Sequence, residues 1–405
     1  MLADRRFAAI VVLAGVVGGL AGAAYVGLLH LAEAGLWPDH WNLFPHGLIL
    51  VGVGLAIAGL TRALGTPGDV ELLVDNIHVS GGTRDLRDLR SLIPVSLLCV
   101  GAGGGLGPEA PLVQTTGSLG SYLARHFDVD QRQTRILTIT GMAAGFTVLF
   151  GAPLGSAVFA LEILHRRGLE YYEALLPAAV GSLGGYAIYL SLTGVGLSSV
   201  WSFPNPLPLH AGDLAWAVGC GIVGAVVARA FTYLNVGLRS VLRPVPDALR
   251  PAVGGVGLAF LAWMSPYALT FGEKQIDVIT VSPRGAASIA TGTLVLAAVA
   301  KLLASSLTLS SGWRGGFIIP LFFIGAALGV AIHHGVPSTN EFVLVTALMV
   351  ACNVGVTKTP IGSVLVVTEM AGTTLIPTTL IAAVVAMALT SDVGLIHSQR
   401  RRAPV

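Results

Sequence analysis

Six apolar segments, each long enough to cross a lipid bilayer as a helix, constrain this chain more than any single motif does. A helix needs about 20 residues to cross the hydrocarbon core. The six segments lie at 7–32, 46–64, 174–194, 212–238, 252–271 and 289–310. Shorter or Gly- and Pro-interrupted apolar segments lie between them, at 91–106, 110–124, 135–150, 153–164, 317–334, 341–356, 360–371 and 375–394. The pattern predicts an all-α polytopic membrane protein, and short broken segments inside such a bundle often mark a transport site.

The composition excludes the common soluble classes. Only 11% of the 405 residues are charged and 54% are hydrophobic, whereas soluble domains carry about 25% charged residues. So few charges could not cover a soluble fold of this size, which rules out an ordinary cytosolic enzyme, a nucleic-acid binder, a coiled coil and a disordered chain. Nucleotide, haem, flavin and metal-site motifs are absent, so we expect no cofactor and no metal. Cys99, Cys220 and Cys352 lie in apolar stretches and are interpreted as small buried residues.

Lys and Arg predict the orientation, because they concentrate in the cytoplasmic loops of membrane proteins. Arg5 and Arg6 precede the first apolar segment, and three arginines at 400–402 follow the last one. We therefore expect a multi-pass protein of the cell (inner) membrane with both termini in the cytoplasm. The loop at 84–90, with three arginines, is expected on the same side. The first hairpin loop at 37–41, with two tryptophans and no Lys or Arg, is expected outside.

The two halves of the chain resemble each other weakly, which is typical of transporters built from inverted repeats. Residues 103–112, with the pattern Gly-x3-Gly-x3-Pro-Leu, match residues 312–321. Further on, residues 153–162 match residues 360–369 in the same order. The alternative is chance similarity between apolar, Gly-rich stretches.

The repeat predicts a division of the chain into two parts. We expect residues 1–205 to form the first repeat and residues 206–396 the second, joined by the proline-rich stretch at 203–208. Residues 397–405 are expected to form a short basic cytoplasmic tail. We therefore expect no soluble regulatory domain after the second repeat.

Each half of the sequence contains a pattern that predicts a helix beginning inside the bundle. In both halves a Gly-rich turn is followed by a proline in the first helical turn, at Pro111 and Pro320. The first N–H groups of such a helix have no intrahelical partner and carry the positive end of the helix dipole. Two such helix ends that converge near the midplane would bind an anion without any buried Lys or Arg. The alternative is close helix packing through glycine, without a ligand.

Glu109 favours the anion interpretation. It lies between Gly107 and Pro111 at the predicted helix start, and a carboxyl group inside a membrane segment is costly and by default functional. Its carboxylate would compete with a bound anion for the positive helix end, and protonation would release it. One group would then serve as gate and proton acceptor; a simple helix cap is the alternative. Glu162 and Glu369, which match each other between the halves, are interpreted as structural acids that cap a neighbouring helix or loop.

At these motifs the sequence resembles the CLC family of chloride channels and chloride–proton antiporters, over roughly residues 10–394. Gly107-Pro108-Glu109-Ala110-Pro111-Leu112-Val113-Gln114 resembles the family's G-[KR]-E-G-P-x-V-Q motif. Gly316-Phe317-Ile318-Ile319-Pro320 resembles its G-x-F-x-P motif. Residues 143–162 and 358–370 resemble two further family segments in the right order.

The resemblance implies a CLC-like fold, that of a divergent bacterial-type member. Such a protein is a homodimer with one pore per subunit, and each subunit has two inverted halves of tilted and partial helices. Glu109 would be the gating glutamate and proton acceptor. The partners would be a small inorganic anion, the proton and the lipid bilayer, with no nucleic acid. The anion-binding positions that the resemblance implies are Gly107, Pro108, Ala110, Gly316, Phe317 and Ile318.

Departures from the family pattern leave the transported anion open. At the family's G-S-G-I-P motif this chain has Thr66-Pro67-Gly68, so that Pro67 replaces the anion-binding serine. The family's late anion-binding tyrosine aligns with Thr374 or, with a gap, with Gly372. Thr66 and Thr374 are therefore candidate hydroxyl donors at the anion site. Pro67 and Gly68, which follow Thr66, are further candidate anion-binding positions. Chloride, fluoride, nitrate and bicarbonate are all candidate substrates.

Proton-coupled anion exchange is the favoured function, because Glu109 is present. Ile163 stands where many antiporters of the family have an inner proton-carrying glutamate, which keeps a passive anion channel as the alternative. An intramembrane enzyme would need a convergent catalytic pair, and the sequence offers none, so we expect no enzymatic activity. A cation-coupled transporter that uses Asp69, Glu162 and Glu369 is a further alternative, without a recognisable sodium site.

Overall fold

The computed structural model describes residues 4–36, 43–83, 85–167, 170–193, 208–280 and 289–401. These ranges contain sixteen α-helices and one short parallel pair of strands, β1 (His165–Arg167) and β2 (Arg400–Arg401). Eight helices precede the gap at 194–207: α1 (Arg5–Leu36), α2 (Leu43–Leu64), α3 (Val70–Ser80), α4 (Arg87–Gly101), α5 (Glu109–His126), α6 (Gln131–Phe150), α7 (Pro153–Glu162) and α8 (Leu175–Thr193). Eight follow it: α9 (Ala211–Leu242), α10 (Arg250–Met264), α11 (Glu273–Thr280), α12 (Thr291–Ser310), α13 (Ile318–Gly335), α14 (Glu341–Thr357), α15 (Pro360–Ala371) and α16 (Ile376–Leu389). The predictions for residues 37–41, 84, 203–207 and 402–405 lie outside the described residues.

Six helices of the described part are long and apolar enough to cross a membrane: α1, α2, α8 with the turn before it, α9, α12 and α13. Five of them coincide with predicted spanning segments. The prediction for 252–271 is wrong, because α10 ends at Met264. Ser265 after it is extended and precedes Pro266, which has no N–H and starts a 3-10 turn. The helix α13, which the sequence placed among the short segments, belongs to the long apolar helices instead.

The two halves meet at a pair of glycine-rich loops. The N–H of Gly107 donates to the carbonyl oxygen of Gly316 at 2.8 Å, and the N–H of Gly316 donates back to the carbonyl oxygen of Gly107 at 2.6 Å. These two glycines hold equivalent positions in the repeat. A symmetric pair of bonds between equivalent residues places the local two-fold axis of the two halves at this bridge.

Reciprocal helix caps connect α7 and α15, the second pair of matched segments. Glu162 at the end of α7 accepts hydrogen bonds from the N–H groups of Ile361 and Gly362 at the start of α15, at 3.2 and 2.6 Å. Glu369 near the end of α15 accepts from the equivalent N–H groups of α7, at 3.1 and 3.2 Å. The two helices are therefore antiparallel neighbours. The prediction that both acids cap a neighbouring helix is confirmed.

Two buried lysines bind carbonyl groups rather than acids. Lys301 of α12 donates to the carbonyl oxygen of Leu269 at 2.7 Å and to that of the next residue at 2.6 Å. Lys358 donates to the carbonyl oxygens of Gly355 and Thr390, both at 2.6 Å. Those carbonyls end α14 and α16, where a cation interacts favourably with the helix dipole.

The segment after α16 packs onto the bundle. Leu395 and Ile396 are buried, and the side-chain amide of Gln399 donates to the carbonyl oxygens of Ile163 and Thr357 at 2.9 and 2.7 Å. The strand β2 then pairs with β1. The described part of the predicted tail, 397–401, is therefore fixed by contacts with the protein. The repeat boundaries at 205 and 396 stay predictions.

We expect Glu162→Ala to lower the free energy of unfolding by about 1–3 kcal/mol, because two N–H groups at the start of α15 lose a charged acceptor. Glu369→Ala should act through α7 in the same direction. Thermal unfolding of the detergent-purified variants measures both effects.

Glu173→Ala is the matched control, because it removes a carboxylate that pairs with Arg132 at the surface and should cost about 0–1 kcal/mol. If Glu162→Ala and Glu369→Ala melt together with this control, the two acids do not stabilise the fold as caps.

Candidate functional site

Equivalent turns bring the starts of α5 and α13 together. Gly103 and Gly312 hold equivalent positions and have φ angles of +83° and +91°, a left-handed conformation that glycine adopts without a side-chain clash. Each turn leads into the loop of a bridge glycine, Gly107 or Gly316, and the helix starts two residues later. The N-termini of α5 and α13 therefore converge from the two halves, as the sequence predicted.

The glycine bridge narrows the set of backbone groups that can face an anion. Gly107 and Gly316 donate their N–H groups to each other's carbonyl oxygens, and Pro108 has no N–H. These three predicted anion-binding residues shape the site without donating a free N–H group to it. Ala110 and Ile318 precede the first intrahelical donors of α5 and α13, so their N–H groups have no partner within their own helices.

Glu109 is fully buried, and its carboxylate caps the helix of the other half. Its Oε1 atom accepts a hydrogen bond of 2.5 Å from the N–H of Ile319, in the first turn of α13. Its Oε2 atom accepts no hydrogen bond from the described residues. The sequence placed this acid at the start of its own helix. The structure adds that its charge lies at the positive end of a second helix, where it is electrostatically favoured.

A cavity of about 30 Å³ adjoins the Glu109 carboxylate. Glu109 is the one titratable side chain among the described residues that line it, and the other lining side chains are apolar. A space of this size accommodates a water-sized ligand, and charges interact more strongly in such surroundings than in water. The predicted site residues that line it with Glu109 are Ala110, Gly316, Phe317, Ile318 and, at the predicted inner proton position, Ile163.

The two candidate hydroxyl donors lie elsewhere. Thr66 is exposed in the turn before α3, and Thr374 is exposed in a 3-10 turn before α16. Neither residue is among the described residues that line the cavity at Glu109, and their role as hydroxyl donors stays a prediction. Pro67 is buried, and Gly68 lines a second cavity, beside the amide of Gln114.

Two residues contribute to the site although the sequence did not indicate them. Ile396 lines the cavity from the segment after α16, and its apolar type gives no signal in an apolar chain. Ile319 contributes through its backbone N–H, which any residue except proline could supply. Asp69 caps α3, because its carboxylate accepts a hydrogen bond of 2.9 Å from the N–H of Leu72.

Comparisons with known proteins agree with one another. A family model described as "Voltage gated chloride channel" matches residues 53–391. A protein of Pseudomonas syringae pv. tomato named "Chloride/fluoride channel protein" is 28% identical, over 96% of this chain and 85% of the relative. A solved slow cyanobacterial Cl⁻/H⁺ antiporter matches with a TM-score of 0.83 and 21% identity, over 96% of this chain and 94% of that one. A solved CLC-type fluoride/proton antiporter matches with a TM-score of 0.83 and 22% identity, over 98% of both chains. The two structural matches show a shared fold, which confirms the predicted fold class.

We expect Gly316→Ala to lower the free energy of unfolding, because a Cβ atom at this position would overlap the Glu109 carboxylate. Overpacking of this kind costs about 1–3 kcal/mol. Glu109→Ala removes the overlapping group, so the double variant should regain part of the loss. A double-mutant cycle by thermal unfolding measures this coupling.

Gly237→Ala is the control, because a Cβ atom there meets nothing within 4 Å. Strictly additive effects of Gly316→Ala and Glu109→Ala would contradict the contact between the bridge and the carboxylate.

Proposed function

The chain belongs to the voltage-gated chloride channel family, and we propose that it exchanges a small inorganic anion for protons across the membrane. The observation that carries this proposal is the buried Glu109 carboxylate on the N–H of Ile319. A negative group occupies the helix end at which an anion would bind, and it is a group that can take up a proton.

Glu109 and the anion compete for the same backbone donors. While the carboxylate is charged, its hydrogen bond to Ile319 is charge-assisted, and an anion beside it would be repelled. Protonation removes that charge and weakens the hydrogen bond, so the side chain can leave the helix end. The N–H groups of Ile318 and Ile319 then face the anion. Proton binding and anion binding are coupled, because the start of α13 holds either the charged Glu109 carboxylate or the anion, and protonation of Glu109 frees it for the anion.

The named relatives support a small monovalent anion as the substrate. One is a chloride/fluoride channel protein, and the two structural matches are antiporters that move chloride or fluoride together with protons. The cavity at Glu109 is water-sized and has no cationic side chain among the described residues that line it. Backbone donors at helix starts suit an anion of this kind. We propose chloride or fluoride first, with nitrate and bicarbonate as further candidates.

Ile163 favours a second candidate function, a passive anion channel. It lines the cavity beside Glu109 and has no proton to exchange. Coupled exchange then needs a water molecule in this cavity to carry the proton onward, and the volume of about 30 Å³ has room for one. In a channel, Glu109 would act as a gate only.

We propose that the protein lies in the inner membrane with both termini in the cytoplasm. The support is the position of Arg5 and Arg6 at the start of α1 and of the arginines at 400–402 after α16. A homodimer with one pore per subunit is proposed from the family. In such a dimer each subunit would hold a site of its own, because one chain supplies all the described residues around Glu109.

Purified protein in liposomes tests the proposed exchange. An imposed anion gradient should drive protons against their own gradient, and Glu109→Gln should abolish this proton movement because the amide cannot take up a proton. The external pH records the protons, and ion-selective electrodes record the flux of chloride, fluoride, nitrate and bicarbonate.

Glu173→Gln, which changes a surface carboxyl group paired with Arg132, is the matched control and should transport like the wild type. Anion flux without proton movement would establish the passive channel instead. No flux with any of the four anions would refute anion transport by this chain.

A further inference from the structure

A second cavity adjoins the cavity at Glu109 and differs from it in having charged walls. It has a volume of about 100 Å³. Val70, Ala110, Phe317 and Ile396 line both cavities, so an ion that leaves one has the other as its neighbour. We call it the arginine cavity, after the polar side chains in its lining: Asp69, Glu71, Gln114, Arg239 and Arg314.

Arg314 has a buried donor without a partner. Its Nε atom is buried and makes no hydrogen bond to the described residues. Its Nη1 atom lies 3.8 Å from Oδ2 of Asp69, which is beyond hydrogen-bond distance. A buried guanidinium N–H without an acceptor is costly. The arrangement therefore favours a further acceptor beside Arg314.

The two acids of the arginine cavity already accept hydrogen bonds elsewhere. Oδ1 of Asp69 accepts from the N–H of Leu72 at 2.9 Å, as the cap of α3. Oε1 of Glu71 accepts from the N–H of His397 at 3.3 Å. Both carboxylates are therefore tied to backbone at the edge of the cavity.

The other two donors have no acid as a partner. Arg239 is exposed and forms no ion pair within the described ranges. Gln114 is buried, and its amide makes no hydrogen bond to described residues. The amide lies so close to Gly68 that a Cβ atom there would overlap it. Three donors, from Arg314, Arg239 and Gln114, thus border one space that has room for a small anion.

We propose that the arginine cavity is a second binding site for the transported anion, with Arg314 as its principal ligand and Asp69 as a built-in competitor for Arg314. This inference rests on the anion transport proposed above. A guanidinium group keeps its charge at every physiological pH and presents several N–H donors in one plane. The Asp69 carboxylate at 3.8 Å offsets part of that charge, so the anion is held but can move on to the cavity at Glu109.

Two substitutions should shift the anion affinity in opposite directions. Arg314→Gln removes the positive charge and should weaken binding at least about fivefold, the factor that corresponds to the attraction between two charges about 4 Å apart in bulk water. Asp69→Asn removes the competing charge and should tighten binding by a similar factor. Asn is about as good an N-cap as Asp, so α3 keeps its cap in this variant.

Isothermal titration of the detergent-purified full-length protein with sodium chloride and with sodium fluoride measures these affinities. Arg314→Lys keeps the charge without the planar fork and should fall between the wild type and Arg314→Gln. Arg62→Gln is the matched control, because it makes the same charge change at an exposed residue outside the cavity. Its affinity should stay within about twofold of the wild type.

Opposite shifts in Arg314→Gln and Asp69→Asn support the site. Unchanged affinities, shifts in the same direction, or an equal shift in Arg62→Gln overturn it. If Arg314→Gln does not fold, Asp69→Asn decides: tighter binding supports the site, and unchanged binding overturns it. Liposome flux of the wild type separates the two proposals. Absence of flux removes the proposed function, whereas normal flux with unshifted affinities removes this inference alone.

Discussion

The rest of the site depends on one hydrogen bond between the two halves, from the N–H of Ile319 to the carboxylate of Glu109. It can form because the bridge between Gly107 and Gly316 holds the starts of α5 and α13 side by side. The same bridge uses the N–H groups of the two glycines. Ala110 and Ile318, whose N–H groups have no partner within their own helices, line one small apolar cavity. In that space the carboxylate is an anion supplied by the protein itself, and it satisfies the dipole of α13 when no other anion does.

Among the described residues, three carboxylates cap a helix across the two halves, and they differ in the number of hydrogen bonds they accept. Glu162 and Glu369 each accept hydrogen bonds from two N–H groups, one on each carboxylate oxygen. Glu109 accepts one, on Oε1, and its Oε2 accepts none from the described residues. The first two fasten α7 to α15 and belong to the scaffold. Glu109, the acid with one free carboxylate oxygen, borders the cavity of about 30 Å³, and its departure would open a place for an anion there.

The sequence predicted those features that depend on the chemistry of single residues or on regular patterns. Hydrophobic length gave five of the six spanning helices, and the repeat of Gly and Pro located the two helix starts. The costly acid Glu109 was found because a membrane tolerates few acids. The sequence did not predict those features that depend on contacts in the folded structure. The end of α10 depends on a serine and a proline within an apolar run, and the lining residue Ile396 resembles dozens of other apolar residues. Thr66 and Thr374 are exposed, and a motif alignment does not describe the local backbone that exposes them.

Proton uptake on anion binding tests the central claim, that Glu109 and the anion exclude each other at one helix end. Weakly buffered, detergent-purified protein is mixed with the anion, and the change in pH is recorded. The account predicts that the wild type takes up protons as the anion binds, and that Glu109→Gln binds the anion without any uptake. Anion binding to the wild type without proton uptake, or equal uptake by Glu109→Gln, would contradict it.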